Sequence, residues 1–215
     1  MPASLYEQAA VLRRELGVDR PLWVAASTHE GEEAQVLEAF AAVREKARHA
    51  LLVLVPRHPE RFARVAALCR QQGYRVATRS SGEPCGAEVD IFLCDTMGEL
   101  PLFYAAADLA YVGGSLVPVG GHNVLEPASV GVPVLFGPHM FNFAEVARLL
   151  LTSGGAWQVD DAPQLGRAVI GWLGDANLRH VAGEKAKAVV ERNRGALSRL
   201  MALVEERLPE HRSRP

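Results

Sequence analysis

The sequence predicts an α/β fold, a Rossmann-like doubly wound parallel sheet followed by a helical tail. Three observations carry that prediction. Short apolar runs of strand length alternate with longer stretches of helical period. The runs are apolar at nearly every position rather than at every second one, as in strands covered by helices on both faces. Each run ends near Gly, Pro, Ser or Asp, where a buried strand gives way to a loop.

Taken in order, residues 1–19 form a linker or helix that leads into the first strand, "PLWVAAS" (21–27). The further strands are "ALLVLVP" (50–56), "YRVATR" (74–79), "VDIFLCD" (89–95), "DLAYVGG" (108–114) and "VPVLFG" (132–137), with a weak one at "AWQV" (156–159). Helices are expected between them at 31–48, 60–72, 98–107, 123–130 and 142–152. Two more, 161–173 and 176–207, follow Asp161 and Asp175, each a suitable N-cap. With no repeat, low-complexity tract or linker, the chain divides into an α/β core at 20–160 and a helical tail at 161–215, forming one domain.

Composition excludes several classes. The 215 residues are 49% apolar and 22% charged, which is ordinary for a globular protein with a sizeable core. Lys and Arg number 23 against 25 Asp and Glu, so the net charge of -2 gives no reason to expect nucleic acid. Three cysteines (Cys69, Cys85 and Cys94) share no metal or redox spacing and form no disulfide framework. No apolar signal segment is visible at the N-terminus, and no run reaches membrane-spanning length, so a soluble chain is expected.

In a doubly wound sheet, ligands bind beyond the carboxyl ends of the strands. The segments that should converge there are "STHEGEE", "RHPER", "TMGELP" and "GGSLVPVGGHNVLEP". In the last, Gly113, Gly114, Gly120 and Gly121 permit positive φ and close approach of a ligand. A helix starting near Asn123 would aim free N–H groups at an anion, with Asn123 as its cap. Glu126, one turn in, either accepts hydrogen bonds from ribose hydroxyls or only complements the helix dipole. Pro56 stops a buried strand, and Arg57 follows with a fork suited to phosphate. His58 donates either to the same anion or to a backbone carbonyl, while Arg61 and Arg64 read as solvated. Ser27 or Thr28 is a candidate cap for the next helix, Gly31 permits the turn, and Glu30, Glu32 and Glu33 favour that helix's N-terminus. His29, Glu30 and His122 match no metal-ligand spacing, and no metal is expected. Asp95 or Thr96 is a candidate cap for the helix at 98–107. Beyond it, Met97 and Gly98 either touch a flat base or merely pack.

Together the stretches "WVAASTHEGEE", "LVPRHPERF", "DTMGELPLFYAAAD", "VGGSLVPVGGHNVLEPA" and "PVLFGPHMFNFAE" resemble the Kdo transferases of lipopolysaccharide synthesis, the 3-deoxy-D-manno-octulosonic acid transferases. The resemblance lies with the C-terminal half of that family's GT-B architecture, the half that holds the CMP part of CMP-Kdo. It implies that Pro56 and Arg57 contact the nucleotide, with His58 and Pro59 similar to the His-Pro element of CMP-sugar transferases. Met97, Gly98 and Glu99 would line the cytidine pocket. Asn123, Val124, Leu125 and Glu126 would hold ribose and phosphate. Ser27 and Thr28, with Gly120, Gly121 and His122, would border phosphate and sugar.

The same resemblance implies an inverting transfer to a lipid A precursor without cofactor or metal. The full-length enzyme would work at the cytoplasmic face of the inner membrane. In the family, the membrane anchor, the acceptor surface and the general base belong to the N-terminal half, which has no counterpart here. The chain is therefore expected to bind CMP or CMP-Kdo without transferring Kdo alone. The alternatives are a UDP-sugar enzyme such as an epimerase and a stand-alone nucleotide-binding module.

Overall fold

The computed structural model describes residues 2–207, with side chains up to residue 193. Its seven strands are β1 (Leu22–Thr28), β2 (Leu51–Pro56), β3 (Val76–Thr78), β4 (Ile91–Leu93), β5 (Leu109–Val112), β6 (Val134–Phe136) and β7 (Ala156–Gln158). They form one sheet in the order β3-β4-β2-β1-β5-β6-β7 with every pairing parallel. The helices are α1 (Ala3–Leu16), α2 (Glu32–Lys46), α3 (Phe62–Gln71), α4 (Leu100–Ala106), α5 (Leu125–Ser129), α6 (Ala144–Ser153), α7 (Ala162–Gly174) and α8 (Ala176–Arg207).

The continuous apolar runs are explained by the two cores. Trp23 and Ala25 of β1 face one core with Leu52 and Leu54 of β2, closed by Val36, Leu37 and Phe40 of α2 and by Val169 and Trp172 of α7. The alternate residues Leu22, Val24 and Ala26 face the other, closed by Leu12 and Leu16 of α1 and by Phe103 and Tyr104 of α4. Each fully buried Leu or Val contributes about 1.5–3 kcal/mol relative to exposure. A third cluster joins Val112, Val134 and Phe136 to Ala186 and Val189 of α8.

Several elements differ from the sequence expectation. β3 and β4 keep only three residues each of their apolar runs; Asp90, just before β4, instead accepts from the Arg75 backbone N–H at 2.9 Å and from Arg44. α4 starts at Leu100 rather than 98, because Gly98 has a φ of +86° and Pro101 suits only the first turn. Neither Asp95 nor Thr96 caps it: Asp95 accepts from Ser80, and Thr96 donates to Glu99. α2 begins after Gly31, whose φ is +87°, with no side-chain cap from Ser27 or Thr28. Asp161 and Asp175 do cap, accepting from Gln164 at 2.7 Å and Leu178 at 2.9 Å.

α7 packs on α2, and the first half of α8 packs on α5 and α6. Gly183 is needed there, since a Cβ would strike the Gly131 carbonyl oxygen. The last residues of the expected tail, 208–215, lie outside the described residues. Among the described residues no helix is long and apolar enough to cross a membrane.

Candidate functional site

A cleft of about 300 Å³ opens across the carboxyl ends of β1, β2, β4 and β5. It lies beside the point where the strand order reverses around β1, the place a doubly wound sheet offers to ligands. All four sequence segments meet there. Ser27, Pro56 and Arg57 form one side, Thr96, Met97 and Gly98 another, and His122, Asn123 and Glu126 a third. Tyr104 and Phe143, which sequence reasoning did not single out, also line it.

Arg57 is exposed, and its guanidinium has no ion-pair partner among the described residues. Its backbone N–H donates to the Thr28 carbonyl at 3.0 Å, so the strand-end register places it. His58 stands off the wall and packs edge-on against His29, with ring centroids 5.3 Å apart. His29 in turn stacks on His122, their Nε2 atoms 2.7 Å apart. One ring must donate and the other accept. Burial pushes His29 down, and it pushes His122 down to about 4, reinforced by the neighbouring His29 and Arg57 charges. Both are neutral at pH 7.

Asn123 holds the Glu126 carboxylate. Its Nδ2 donates to Glu126 Oε1 at 3.0 Å, and its Oδ1 accepts from the Leu125 N–H at 3.1 Å. The helix starts at Leu125 and is only five residues long. Asn123 is therefore a turn residue ahead of the helix rather than its cap, and the macrodipole expected from 123–130 shrinks accordingly. Val124 is fully buried among Val112 and Phe136, and Leu125 packs on the same cluster, so neither side chain reaches the cleft.

On the opposite wall, Met97 is 62% exposed, and the Met97 and Gly98 N–H groups donate to no acceptor among the described residues. Glu99 departs from the expectation. Its carboxylate turns away from the cleft to accept from Arg79 at 2.7 Å and from the Thr96 hydroxyl. The Arg79 hydrogen bond holds Glu99 below the usual carboxylate range. Thr28 is also off the wall, buried and donating to Glu33 at 3.0 Å. Ser27 lines the cleft with φ at +55°, a strained value for a non-glycine residue.

Gly120 and Gly121 serve packing rather than ligand approach. A Cβ would drive into Asn142 and Phe141 at the first and into Met140 at the second, and both N–H groups donate to the Gly114 carbonyl. Arg61, expected in solvent, instead pairs with Glu33 through two bonds of 2.6 and 3.0 Å.

The residues that sequence reasoning undervalued are Glu32 and Glu33, read as dipole partners but fully or almost fully buried. The signal was there: they precede Val36 and Leu37 by four residues, which puts both on the buried face of α2.

This sheet, with its cleft at the strand ends, is the C-terminal Rossmann-like half of a GT-B glycosyltransferase. No protein-family model matches the chain. It is 44% identical over 188 residues to the 3-deoxy-D-manno-octulosonic acid transferase of Haemophilus influenzae, covering 87% of this chain and 44% of that protein. It is 40% identical to the enzyme of the same name from Bordetella pertussis, covering 87% of this chain and 45% of that protein. The C-terminal CMP-Kdo binding domain of WaaA from Acinetobacter baumannii superposes with a TM-score of 0.83 at 34% identity, covering 88% of this chain and 99% of that structure. The chain belongs to the 3-deoxy-D-manno-octulosonic acid transferase family, and it spans about half the length of the curated relatives it matches.

Proposed function

We propose that this chain is the donor-binding domain of an inverting transferase that moves Kdo from CMP-Kdo to a lipid A precursor. The observation that carries the proposal is the cleft itself. Its unpaired Arg57, Asn123-oriented Glu126 and free Met97 and Gly98 N–H groups meet at the strand ends of a domain that matches a CMP-Kdo binding domain over 99% of that domain's length. The match favours this reading over a UDP-sugar epimerase or a stand-alone module.

In the proposed mode, Arg57 neutralises the phosphate, and Glu126 accepts from the ribose hydroxyls with Asn123 fixing its carboxylate. The Met97 and Gly98 N–H groups face the base. Cytosine presents an acceptor at N3 where uracil presents N–H, so the same donors leave uracil unpaired and disfavoured. During transfer the acceptor hydroxyl attacks the anomeric carbon, and the bond from that carbon to the phosphate oxygen breaks. Arg57 stabilises the charge that then develops on CMP. The acceptor's proton needs a base. Glu126 is engaged by Asn123 and ribose, and Glu32 and Glu33 are buried, so in this reading none of these three carboxylates serves as that base. In this reading the chain by itself binds the donor without transferring it. The charge partner of the phosphate is a guanidinium, so binding needs no metal, and EDTA leaves it unchanged. In the full-length enzyme, other segments bring the site to the cytoplasmic face of the inner membrane.

Calorimetry with CMP, UMP and CMP-Kdo tests the reading. CMP should bind about tenfold more tightly than UMP, and equal affinities overturn it. Arg57→Ala should cost about 1.5–3 kcal/mol of CMP affinity, the scale of a charge-assisted hydrogen bond.

A further inference from the structure

The tyrosines of the interior use their hydroxyls differently. Tyr111 donates to Glu32 at 2.6 Å, and Tyr74 donates to the Leu37 carbonyl at 3.4 Å. Tyr104 is 1% exposed, with its ring packed in the core beneath α1 and α4. Its hydroxyl makes no hydrogen bond to any described residue. Nor is that oxygen sealed in: Trp23 Nε1 and Arg61 Nε are the closed-off side-chain atoms left without a partner, whereas Tyr104 lines the cleft. A desolvated hydroxyl without a partner costs about 1–3 kcal/mol. Phenylalanine would fill the same volume without that cost.

The place of this hydroxyl says what it can meet. Tyr104 follows Leu100 by one turn of α4, and both line the cleft from the helix that begins beside Met97 and Gly98. α5 packs against α4 and presents Glu126 to the same space. Burial, reinforced by the Glu126 charge, pushes the Tyr104 phenol well above its ordinary range, so it keeps its proton at neutral pH. No hydrogen bond joins the two side chains. Glu126 Oε1 accepts from Asn123, while its Oε2 has no partner among the described residues. A phenol that donates and a carboxylate oxygen that accepts are the complement of one alcohol, which can accept from the first and donate to the second.

We propose that Tyr104 is a specificity-determining residue of the donor site, donating to the ribose 2′-hydroxyl, which in turn donates to Glu126 Oε2. The inference rests on the nucleotide-binding reading above and adds to it a residue that reads the sugar. The order of groups along the cleft selects the 2′ position. The base lies at Met97 and Gly98, where α4 begins, and the phosphate lies at Arg57, after β2. The 2′ carbon adjoins the carbon that bears the base, so it is the one on the α4 side. A ligand without that hydroxyl leaves the phenol and the carboxylate oxygen desolvated and unpaired together. A site built to bond a hydroxyl rejects such an analogue more strongly than a slot that merely fits it.

Calorimetry with CMP, 2′-deoxy-CMP and 3′-deoxy-CMP on the wild type and on Tyr104→Phe tests the assignment. The wild type should bind 2′-deoxy-CMP at least about thirtyfold more weakly than CMP, with a smaller penalty for the 3′-deoxy ligand. Tyr104→Phe should lose about tenfold in CMP affinity while 2′-deoxy-CMP stays within about twofold, so the ratio between them narrows about tenfold. The hydroxyl has no protein partner, so the variant should melt no lower than the wild type. A lower melting temperature, or an equal loss for both ligands, would assign the hydroxyl to the fold and overturn the inference. A wild type that binds CMP and 2′-deoxy-CMP alike overturns it too, as does a larger penalty for the 3′-deoxy ligand. Those outcomes leave the nucleotide reading standing, whereas a wild type that binds no CMP removes that reading and this inference with it.

Discussion

The two long walls of the cleft use the same device at different depths. On the β1–β5 side, Glu32 and Glu33 tie the strand-end loops together, and they are 0% and 1% exposed. On the β4 side the tie is the Arg79–Glu99 pair, with side chains 32% and 28% exposed. A carboxylate deep in the protein interacts in a low dielectric and cannot fall back on water, so the loops it holds have one arrangement. A pair at the surface is screened and worth little. The Arg57 and His122 side of the site is thus preorganised, while the Met97–Gly98 edge can adjust to the ligand.

The sharpest way to break this contrast is Glu33→Ala. It strands the Arg61 guanidinium, whose side chain is 15% exposed and whose Nε already lacks a partner, and it orphans the Thr28 hydroxyl. Breaking a buried pair from one side costs about 3 kcal/mol, which for a domain of this size lowers the melting temperature by about 6–12 °C. Replacing both partners, as Glu33→Leu with Arg61→Met, should recover most of that loss. A single variant that melts with the wild type would show that the rigid wall is not held by its buried carboxylates.

A smaller effect tests the same wall through pH. His122 titrates near 4 in the folded state against about 6.5 unfolded. Between those values the unfolded chain binds a proton that the folded chain refuses, so stability is full above about pH 6.5 and falls as the pH drops toward 4. His29 is pushed in the same direction. With a discount for its half-exposed setting, His122 alone should account for about 1 kcal/mol by pH 5. His122→Gln should flatten the melting temperature between pH 7 and pH 5. An unchanged slope would mean that the imidazole stays solvated.

These two walls were not equally legible in the sequence. The strand-end segments, their convergence and the places of Arg57, Asn123 and Glu126 follow from local rules: a Pro that stops a strand, a turn residue, an apolar run that ends. Glu99 misled because its neighbours Met97 and Gly98 do line the cleft, and only the fold shows that Arg79, twenty residues away, turns the carboxylate aside. Gly120 and Gly121 misled for a similar reason. Positive φ is visible as glycine, but whether the missing Cβ makes room for a ligand or for Met140 depends on tertiary packing. Glu32 was the hardest. A buried carboxylate satisfied by four main-chain N–H groups and a tyrosine hydroxyl leaves no charged partner to read, and four of its five donors lie more than seventy residues downstream.

The Arg79–Glu99 pair gives the smallest stability effect and the finest test. Arg79→Ala should cost only about 0.5–1 kcal/mol of stability, because both groups are about a third exposed. Glu99 sits below the usual carboxylate range through its Arg79 hydrogen bond, so the pair's contribution is present at neutral pH and lost on acidification as Glu99 protonates. Glu99 also fixes the Thr96 hydroxyl, one residue from the Met97 and Gly98 N–H groups, so the loss should appear in recognition of the base. CMP affinity in Arg79→Ala should fall several-fold while the CMP–UMP ratio narrows. High salt should mimic the substitution in the wild type, since a Debye length of about 3 Å at 1 M screens a pair at this depth but not the Glu33–Arg61 pair. Equal sensitivity of both pairs to salt would erase the distinction between a fixed wall and an adjustable one.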